Sequence, residues 1–416
     1  MRVVKISESF QLSEEQAHAL ELLRSGENVF LTGGAGSGKS FVVKELTKDL
    51  DPKTMPILAS TGAAAVLLGG RTFHSFFGLG IMEGGSDATY ERASKDGKLL
   101  KRLAQVEGCI IDEISMIPGD ALMIAEALAQ KARNSKLPWG GMRMIAVGDF
   151  GQLPPVTKTG QKRDWCFLNP VWKNTGFQVC ELKHNQRVQD SEFLDVLAEI
   201  RNGRMTQKVA DFLNARTKVH DEDVPGTRLF PRREQSENYN QKKLAEITEK
   251  EMTFEAIYFG EEKFVTNLKK QSPVPETLRV KKGCRVMFLK NDMQKRWVNG
   301  TRGVIVGEEE QHLIVKKDYG REVKVEKMTF SLLDAEGNAR ASVIQFPLTL
   351  AYATTIHKSQ GATLDELWCD LSALWEPGHA YVALSRLRDA SGLHIVRWNP
   401  RSFIVDPLVQ NFYQNL

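Results

Sequence analysis

The chain has 416 residues, 42% hydrophobic and 26% charged, with a net charge of +4, which excludes both a disordered chain and a single small core and predicts two or three domains. Its five cysteines are scattered, odd in number and form no C-x-x-C pair, so a disulfide scaffold and a zinc site are both disfavoured. No apolar run approaches the ~20 residues of a membrane span, Met1–Lys5 leads into no signal-peptide core, and the reading is a soluble, cytoplasmic protein whose mild basicity permits an anionic partner.

Taken in order, Ser13-Glu14-Glu15-Gln16 opens a helix with a Ser N-cap and a Gln three residues on. Gln16 is either a capping-box residue or an amide placed to read an adenine edge. Val29-Phe30-Leu31-Thr32 is an apolar strand, and Gly33-Gly34-Ala35-Gly36-Ser37-Gly38-Lys39-Ser40 follows it, matching G-x-x-x-x-G-K-[ST] and leading into the helical run Phe41–Leu46. In that setting glycines let backbone N–H groups turn around phosphate oxygens at a helix N-terminus. Lys39 would reach the β- and γ-phosphates of ATP, and the Ser40 hydroxyl would bind Mg²⁺.

Ile57–Thr61 is a second strand, and Gly62–Leu68 after it supplies small residues suited either to an anion or to tight helix–sheet packing. Arg71-Thr72-Phe73-His74-Ser75-Phe76-Phe77 combines groups for phosphate contact and base stacking, although an aromatic stripe also suits a core. Gly78–Lys98 is glycine-rich and polar and predicts an inserted hairpin or loop. Cys109-Ile110-Ile111-Asp112-Glu113 is a buried parallel-type strand ending in two acids. Behind a phosphate loop, Asp112 would hold Mg²⁺ and Glu113 would polarise the attacking water. Met144–Asp149 is another apolar strand, and the turn Phe150–Val156 puts Gln152 at the C-terminal sheet edge, where ligands of such sheets bind.

A second unit starts near Cys180, with an amphipathic helix over Glu192–Ile200 and a strand over Thr227–Phe230. Residues 249–263 read as acidic solvated surface. Leu278–Arg302, basic with Phe288 and Trp297 interleaved, reads as a groove tracking a nucleic-acid backbone or as a solvated basic face. Alternating runs such as Leu313–Lys316 and Glu322–Val325 predict short antiparallel strands, a small β-barrel. The α/β pattern resumes over Pro347–Gly361 and Tyr381–Arg386.

These motifs, in this order, resemble those of superfamily 1 helicases. Thr61-Gly62-Ala63-Ala64 with Thr72-Phe73-His74-Ser75, the region Asp112–Val156 including Trp139-Gly140-Gly141, and Ile356–Gly361 are similar to the Pif (petite integration frequency) family of subgroup B, in a bacterial or phage-like short form. The likeness runs from about residue 12 to 403. Gly36-Ser37-Gly38 departs from the usual Gly-Thr-Gly, and Gln186-Arg187-Val188 stands where Phe-Arg-Gln is usual.

The resemblance implies an α/β fold of two RecA-like P-loop NTPase lobes, 1–180 and 181–277 with 346–416. A wedge at 78–98 would be inserted in lobe one and a Src-homology-3-like β-barrel at 278–345 in lobe two. It implies Arg187 and Arg386 reaching the γ-phosphate from lobe two, Gln152 coupling phosphate to the lobe interface, and Gln16 and Gly361 at the nucleotide. Thr61, Gly62, Thr72 and His74 would grip DNA from lobe one, and Thr355, His357 and Lys358 from lobe two. The implied activity is ATP-dependent, 5′-to-3′ movement along single-stranded DNA by a monomer, unwinding duplex, G-quadruplex or RNA–DNA hybrid in replication, recombination or repair. A small-molecule phosphotransferase would need neither the second lobe nor the basic tract. A DNA-stimulated ATPase that separates no strands is the other alternative.

Overall fold

The computed structural model describes residues 12–62, 64–65, 71–157, 162–218, 226–333 and 339–416. Ala63 and residues 66–68 of the small-residue run after the second strand lie outside them.

Strands β1 (Val29–Gly33), β2 (Ile57–Ala59), β3 (Arg71–Thr72), β4 (Gly108–Ile111), β5 (Arg143–Val147) and β6 (Gln178–Leu182) form one parallel sheet in the order β3-β2-β4-β5-β1-β6. Strand β1 lies between β5 and β6, with Val29 opposite both Ile145 and Gln178. Alternation sorts its side chains: Val29 and Leu31 pack with Ala19, Leu20 and Leu23 of helix α1 (Glu14–Arg24) and with Val42, Val43 and Leu46 of α2 (Lys39–Leu46). Phe30 faces the opposite layer. Both faces are thus covered, the condition an all-parallel sheet requires.

Segment 78–98 is not a hairpin. After the short helix α3 (Phe73–Phe76) the chain turns through Leu79–Gly84 into helix α4 (Gly85–Ala93) and then α5 (Gly97–Gln105), whose N-cap Asp96 accepts the amides of Lys98 and Leu99. Leu79, Ala93 and Leu99 join the lobe-one core, while Ile81 is 87% exposed at the turn. The glycines that suggested a hairpin supply positive φ at Gly78, Gly80, Gly84 and Gly85, around the turn and the start of α4. Helix α6 (Gly119–Ala132) packs beside both helices.

A second parallel sheet is built from β7 (Thr227–Phe230) and three later strands, Ala353–Thr355, Leu367–Leu371 and Leu393–Trp398, with β7 between the first two. Helix α7 (Pro170–Asn174) belongs to the first lobe; α8 (Ser191–Arg201), α9 (Gln207–Ala215) and α12 (His379–Leu384) cover the second sheet, α10 (Arg233–Ala245) packs beside β7, and α11 (Glu262–Gln271) lies against Ala339–Gln345. Between β7 and Ala353 lies the antiparallel module. Its pairing begins earlier than the basic tract: Glu251–Glu255 pairs with Thr277–Lys281, and Ile257–Gly260 with Ala339–Gln345. Within 249–263, Glu251 and Glu255 are exposed, outward residues of a strand whose inward partners are Met252 and Phe254. Pairing ends at Leu350, opposite Val286.

The last helix, α13 (Pro407–Gln414), leaves the second sheet and packs on the first lobe. Val409 and Phe412 join the cluster of Phe30, Phe150, Trp165 and Trp172, and the Phe412 ring lies 4.5 Å from Phe167 and 5.2 Å from Phe150. Residues 407–414 therefore belong by packing to lobe one, against the expectation that 346–416 all lies in lobe two. No helix among the described residues is long and apolar enough to cross a membrane.

Candidate active site

The phosphate loop leaves β1 at Gly33 and enters α2 through Gly38. Gly36 and Gly38 have φ of +87° and +93°, in the region that favours glycine. Space reinforces the requirement: a Cβ at Gly36 would press on Asn185 and Arg187, and one at Gly38 would collide with the Gln16 amide. The Lys39 ammonium donates to the carbonyls of Gly33 at 2.7 Å and Gly34 at 3.1 Å. Burial lowers its pKa against the opposing pull of Asp149, Glu113 and Asp112. Ser40 is exposed at the mouth of the loop.

Both readings of Gln16 have a structural counterpart. The capping box with Ser13 forms, and the Gln16 amide also donates to the Ser37 carbonyl at 3.4 Å, placing it against the loop.

Strand β4 delivers Asp112 and Glu113 beside Lys39. The Glu113 amide donates to the Asp112 carboxylate at 3.0 Å. Glu113 is left-handed, φ 53° and ψ 50°, a costly conformation for this residue type. Burial, reinforced by Asp112, pushes its carboxyl up to about 7, and its Oε2 is buried with no hydrogen-bond partner. Burial also raises Asp112, against its bond from the Glu113 amide and the nearby Lys39.

Strand β5 delivers Asp149, fully buried. Arg201 of α8 reaches it at 2.8 Å, and the Tyr413 hydroxyl of α13 donates to it at 3.0 Å. Burial would raise the Asp149 carboxyl, but Arg201 and Lys39 outweigh it and hold it low. The Tyr413 oxygen accepts the Phe150 amide at 2.9 Å, and the Arg201 guanidinium lies 4.5 Å from the Tyr413 ring centre. Gln152, buried, lies 3.5 Å from Asp149.

Arg187 and Arg386 come together across the cleft from these acids. Arg187 donates to the Ser385 carbonyl at 2.6 Å. Arg386 donates to Val382 O at 2.8 Å, Ser385 Oγ at 2.9 Å and Ser359 O at 3.4 Å. Burial and then Arg187 lower the Arg386 pKa to about 9, while Glu113 pulls the other way. Gly361 is exposed, with φ +77° and open space where a Cβ would sit.

The three threonines expected on DNA all serve local turns. Thr72 Oγ1 caps α3 through the Ser75 amide, Thr61 Oγ1 accepts from Ala64, and Thr355 Oγ1 accepts from Lys358. Gly62 follows Thr61 directly and is half-buried, as is His74, whose pKa burial lowers. His357 and Lys358 are exposed, His357 with its ring 5.2 Å from His379.

The basic tract forms no aromatic-lined groove. Phe288 and Trp297 are buried and stack on each other at 4.5 Å inside the antiparallel module, so they offer no surface to a base. Lys281 donates to Ile247 O, Lys290 to Thr329 O, Arg285 pairs with Asp318 and Arg296 with Asp292. Likewise Phe73, Phe76 and Phe77 are core. Their spacing signalled burial, which alternation in a strand or a helix stripe produces as readily as a stacking face.

Arg201, Asn185 and Tyr413 were missed, because no local spacing links them to residues up to 381 positions away. Asp149 and Tyr381 lay inside recognised stretches without a role.

A phosphate loop and an acidic strand end on one parallel sheet, faced by a buried Arg386 and a half-buried Arg187 from outside that sheet, define a two-lobed P-loop NTPase. Among family models, PIF1-like helicase matches residues 11–211, and the 2B domain of DNA helicase Pif1 matches residues 263–307. The chain is 69% identical over 404 residues to an ATP-dependent DNA helicase Pif1 of Bdellovibrio bacteriovorus, covering 97% of this chain and 92% of the relative. It is 38% identical to the zebrafish (Danio rerio) ATP-dependent DNA helicase PIF1 over 98% of this chain, and spans 64% of that relative's length. A crystal structure of Bacteroides sp. Pif1 with ADP-AlF4 superposes with TM-score 0.84 at 31% identity, over 97% of both chains. Bacteroides Pif1 bound to single-stranded DNA superposes with TM-score 0.68 at 30% identity, over 97% of both chains. This protein belongs to the PIF1-like helicase family.

Proposed function

We propose that the protein hydrolyses ATP in the cleft between its parallel sheets and uses the cycle to move along single-stranded DNA, 5′ to 3′, separating duplex ahead. The observation that carries this is the meeting of Lys39, Asp112 and Glu113, at strand ends of the first sheet, with Arg187 from the loop after β6 and Arg386 from the end of α12. Lys39 would hold the β- and γ-phosphates, Glu113 would take the proton of the attacking water, and the arginines would stabilise charge developing on the transferred phosphoryl group. Gln152, beside Asp149, would relay the γ-phosphate state to the lobe interface, and Gln16 would read adenine.

No group of three His, Cys, Asp or Glu side chains among the described residues is placed to hold a metal ion alone. The donor set nevertheless suits Mg²⁺, which keeps waters and binds through one or two carboxylates plus phosphates. Ser40 at the loop's end and Asp112 would supply the donors, and Glu113, electrostatically close to Asp112, keeps a buried Oε2 without a partner. When bound, the ion would offset negative charge on the β- and γ-oxygens.

For function, the module would comprise about residues 251–350, interrupting lobe two. His74 with Thr61, Gly62 and Thr72, and His357 and Lys358 with Thr355, would form two DNA grips whose spacing changes as the cleft opens and closes. The lower TM-score to the DNA-bound relative than to the ADP-AlF4 complex supports a rearrangement on DNA. The deciding experiment measures ATPase with and without single-stranded DNA, and unwinding of duplexes with 5′ or 3′ tails. DNA-stimulated hydrolysis with unwinding from 5′ tails alone is expected. Hydrolysis indifferent to DNA would overturn the reading, and stimulation without unwinding would reduce it to a DNA-dependent ATPase.

A further inference from the structure

One residue of the phosphate loop, Ala35, is held through both its backbone N–H and its carbonyl by residues outside the loop. The Ala35 amide donates to the Tyr381 hydroxyl at 2.8 Å, and the Ala35 carbonyl accepts from the Asn185 side-chain amide at 2.8 Å. Next to it, the Gly36 carbonyl accepts the Gln186 amide at 2.8 Å. Ala35 is buried and packs with Leu153, Val188 and Tyr381, in the lobe-two core rather than its own. A Cβ at Gly34 would come within 3.2 Å of the Tyr381 oxygen, and one at Gly36 within 2.8 Å of Asn185, so the approach depends on the bare backbone of the loop.

Each contact leads straight to one of the two arginines. Asn185 lies two residues before Arg187, and its side-chain oxygen accepts the amides of Arg187 at 2.8 Å and Val188 at 2.9 Å, fixing the turn that carries the guanidinium. Tyr381 lies on α12, and Arg386 follows that helix directly, its Nε bonded to Val382 O at 2.8 Å on the same helix. The arginines are joined through Ser385, which accepts from Arg187 by its carbonyl and from Arg386 by its hydroxyl. The path from loop to arginine is therefore short and hydrogen-bonded on both branches, buried on the Tyr381 side and half-buried on the Asn185 side.

We propose that Tyr381 and Asn185 are positioning residues that dock the two arginine-bearing segments on the Ala35 backbone and so set where Arg386 and Arg187 stand relative to the transferred phosphoryl group. This rests on the reading of the cleft as the ATP site. Neither residue is required to touch ATP. Misplacement by about 1 Å can cost ~10²-fold in rate, so loss of one docking bond falls on the chemical step and spares nucleotide affinity.

The test is steady-state ATP hydrolysis by the full chain with saturating single-stranded DNA, comparing wild type, Tyr381→Phe, Asn185→Ala, Arg386→Ala and the double variant Tyr381→Phe/Arg386→Ala. Tyr381→Phe keeps the ring and removes the acceptor, and its melting temperature is read alongside. Expected is a fall in kcat of roughly tenfold or more with KM for ATP within about twofold. In the Arg386→Ala background the same change should cost less than about twofold, because the tyrosine acts through the arginine. Asn185→Ala should show the same split and serves alone if Tyr381→Phe does not fold. Wild-type kcat in both folded single variants, a change confined to KM, or a full tenfold loss in the Arg386→Ala background would each overturn the inference. Arg386→Ala hydrolysing at the wild-type rate would instead fault the reading of the cleft itself.

Discussion

Lys39 spends two hydrogen bonds on the carbonyls of Gly33 and Gly34 and keeps a third donor for a phosphate oxygen. Lys39→Ala should lower ATP turnover by on the order of 10²–10³-fold, with single-stranded DNA affinity by fluorescence anisotropy unchanged, since no candidate DNA residue touches it. Joint loss of both would argue against separate sites. Glu113 titrates near 7 because burial and Asp112 oppose its charge, so kcat/KM for ATP should fall with unit slope as pH drops below about 7. Its stability effect has the opposite sense to a salt-bridged acid. The folded state binds the proton more tightly than the unfolded chain does, so the carboxylate is destabilising above the ordinary value of 4.5, fully so above about 7. Glu113→Gln should therefore melt higher than wild type at pH 8, with the gap closing towards pH 4.5; an equal gap at both pH values would refute this account. The phosphate loop and the acidic pair were legible because each is a local pattern on one strand end. The Asp149–Arg201–Tyr413 cluster was not, because its members meet only through the packing of three separate elements.

The turn Leu79–Gly84 has a fixed base and a bare tip. The Leu79 amide donates to the His74 carbonyl at 2.8 Å, Leu79 and Ala93 are buried, and Ile81 stands in solvent. A lone exposed isoleucine is unremarkable, but this one stands on a buried base bonded to His74 of the proposed lobe-one grip, and the wedge reading puts it where paired strands would part. Replacing Gly80–Gly84 by a shorter turn should leave DNA-stimulated ATPase intact and reduce unwinding in a strand-displacement assay; wild-type unwinding would assign strand separation elsewhere. Composition marked this segment as glycine-rich but could not tell a hairpin from a turn between helices, since glycine serves both. Helix α13 was hidden for a different reason: Val409 and Phe412 are an ordinary apolar pair until the Phe30 and Phe150 rings are set beside them. Phe412→Ala should cost roughly 3 kcal/mol, the low end for a half-buried ring, read as a lower melting temperature by calorimetry, and no shift would remove α13 from the lobe-one core.

Across the whole molecule, the basic residues divide into those tied to neighbours and those open to solvent, and only the second kind should answer to salt. Binding to single-stranded DNA should weaken with a log–log slope of about −0.7 per phosphate neutralised. Lys358→Gln should flatten that slope by about one phosphate, whereas Lys290→Gln, whose ammonium donates to Thr329 O and lies 5.0 Å from the Phe330 ring centre, should not. The reverse pattern would restore the basic tract as a DNA surface. Two parallel sheets and an antiparallel insert were legible from strand patterning and motif order, because periodicity reports which faces are buried. It does not report which lobe buries them. The last helix bears a kinetic consequence: Thr32 and Tyr413 hydrogen-bond across a separation of 381 residues, so the aromatic layer behind β1 cannot close until almost the entire intervening chain has been made and arranged. Contacts of such range form late and slowly. A nascent first lobe thus lacks the Val409 and Phe412 side of its aromatic layer until the distant helix arrives, which leaves part of that face open to aggregation in the meantime.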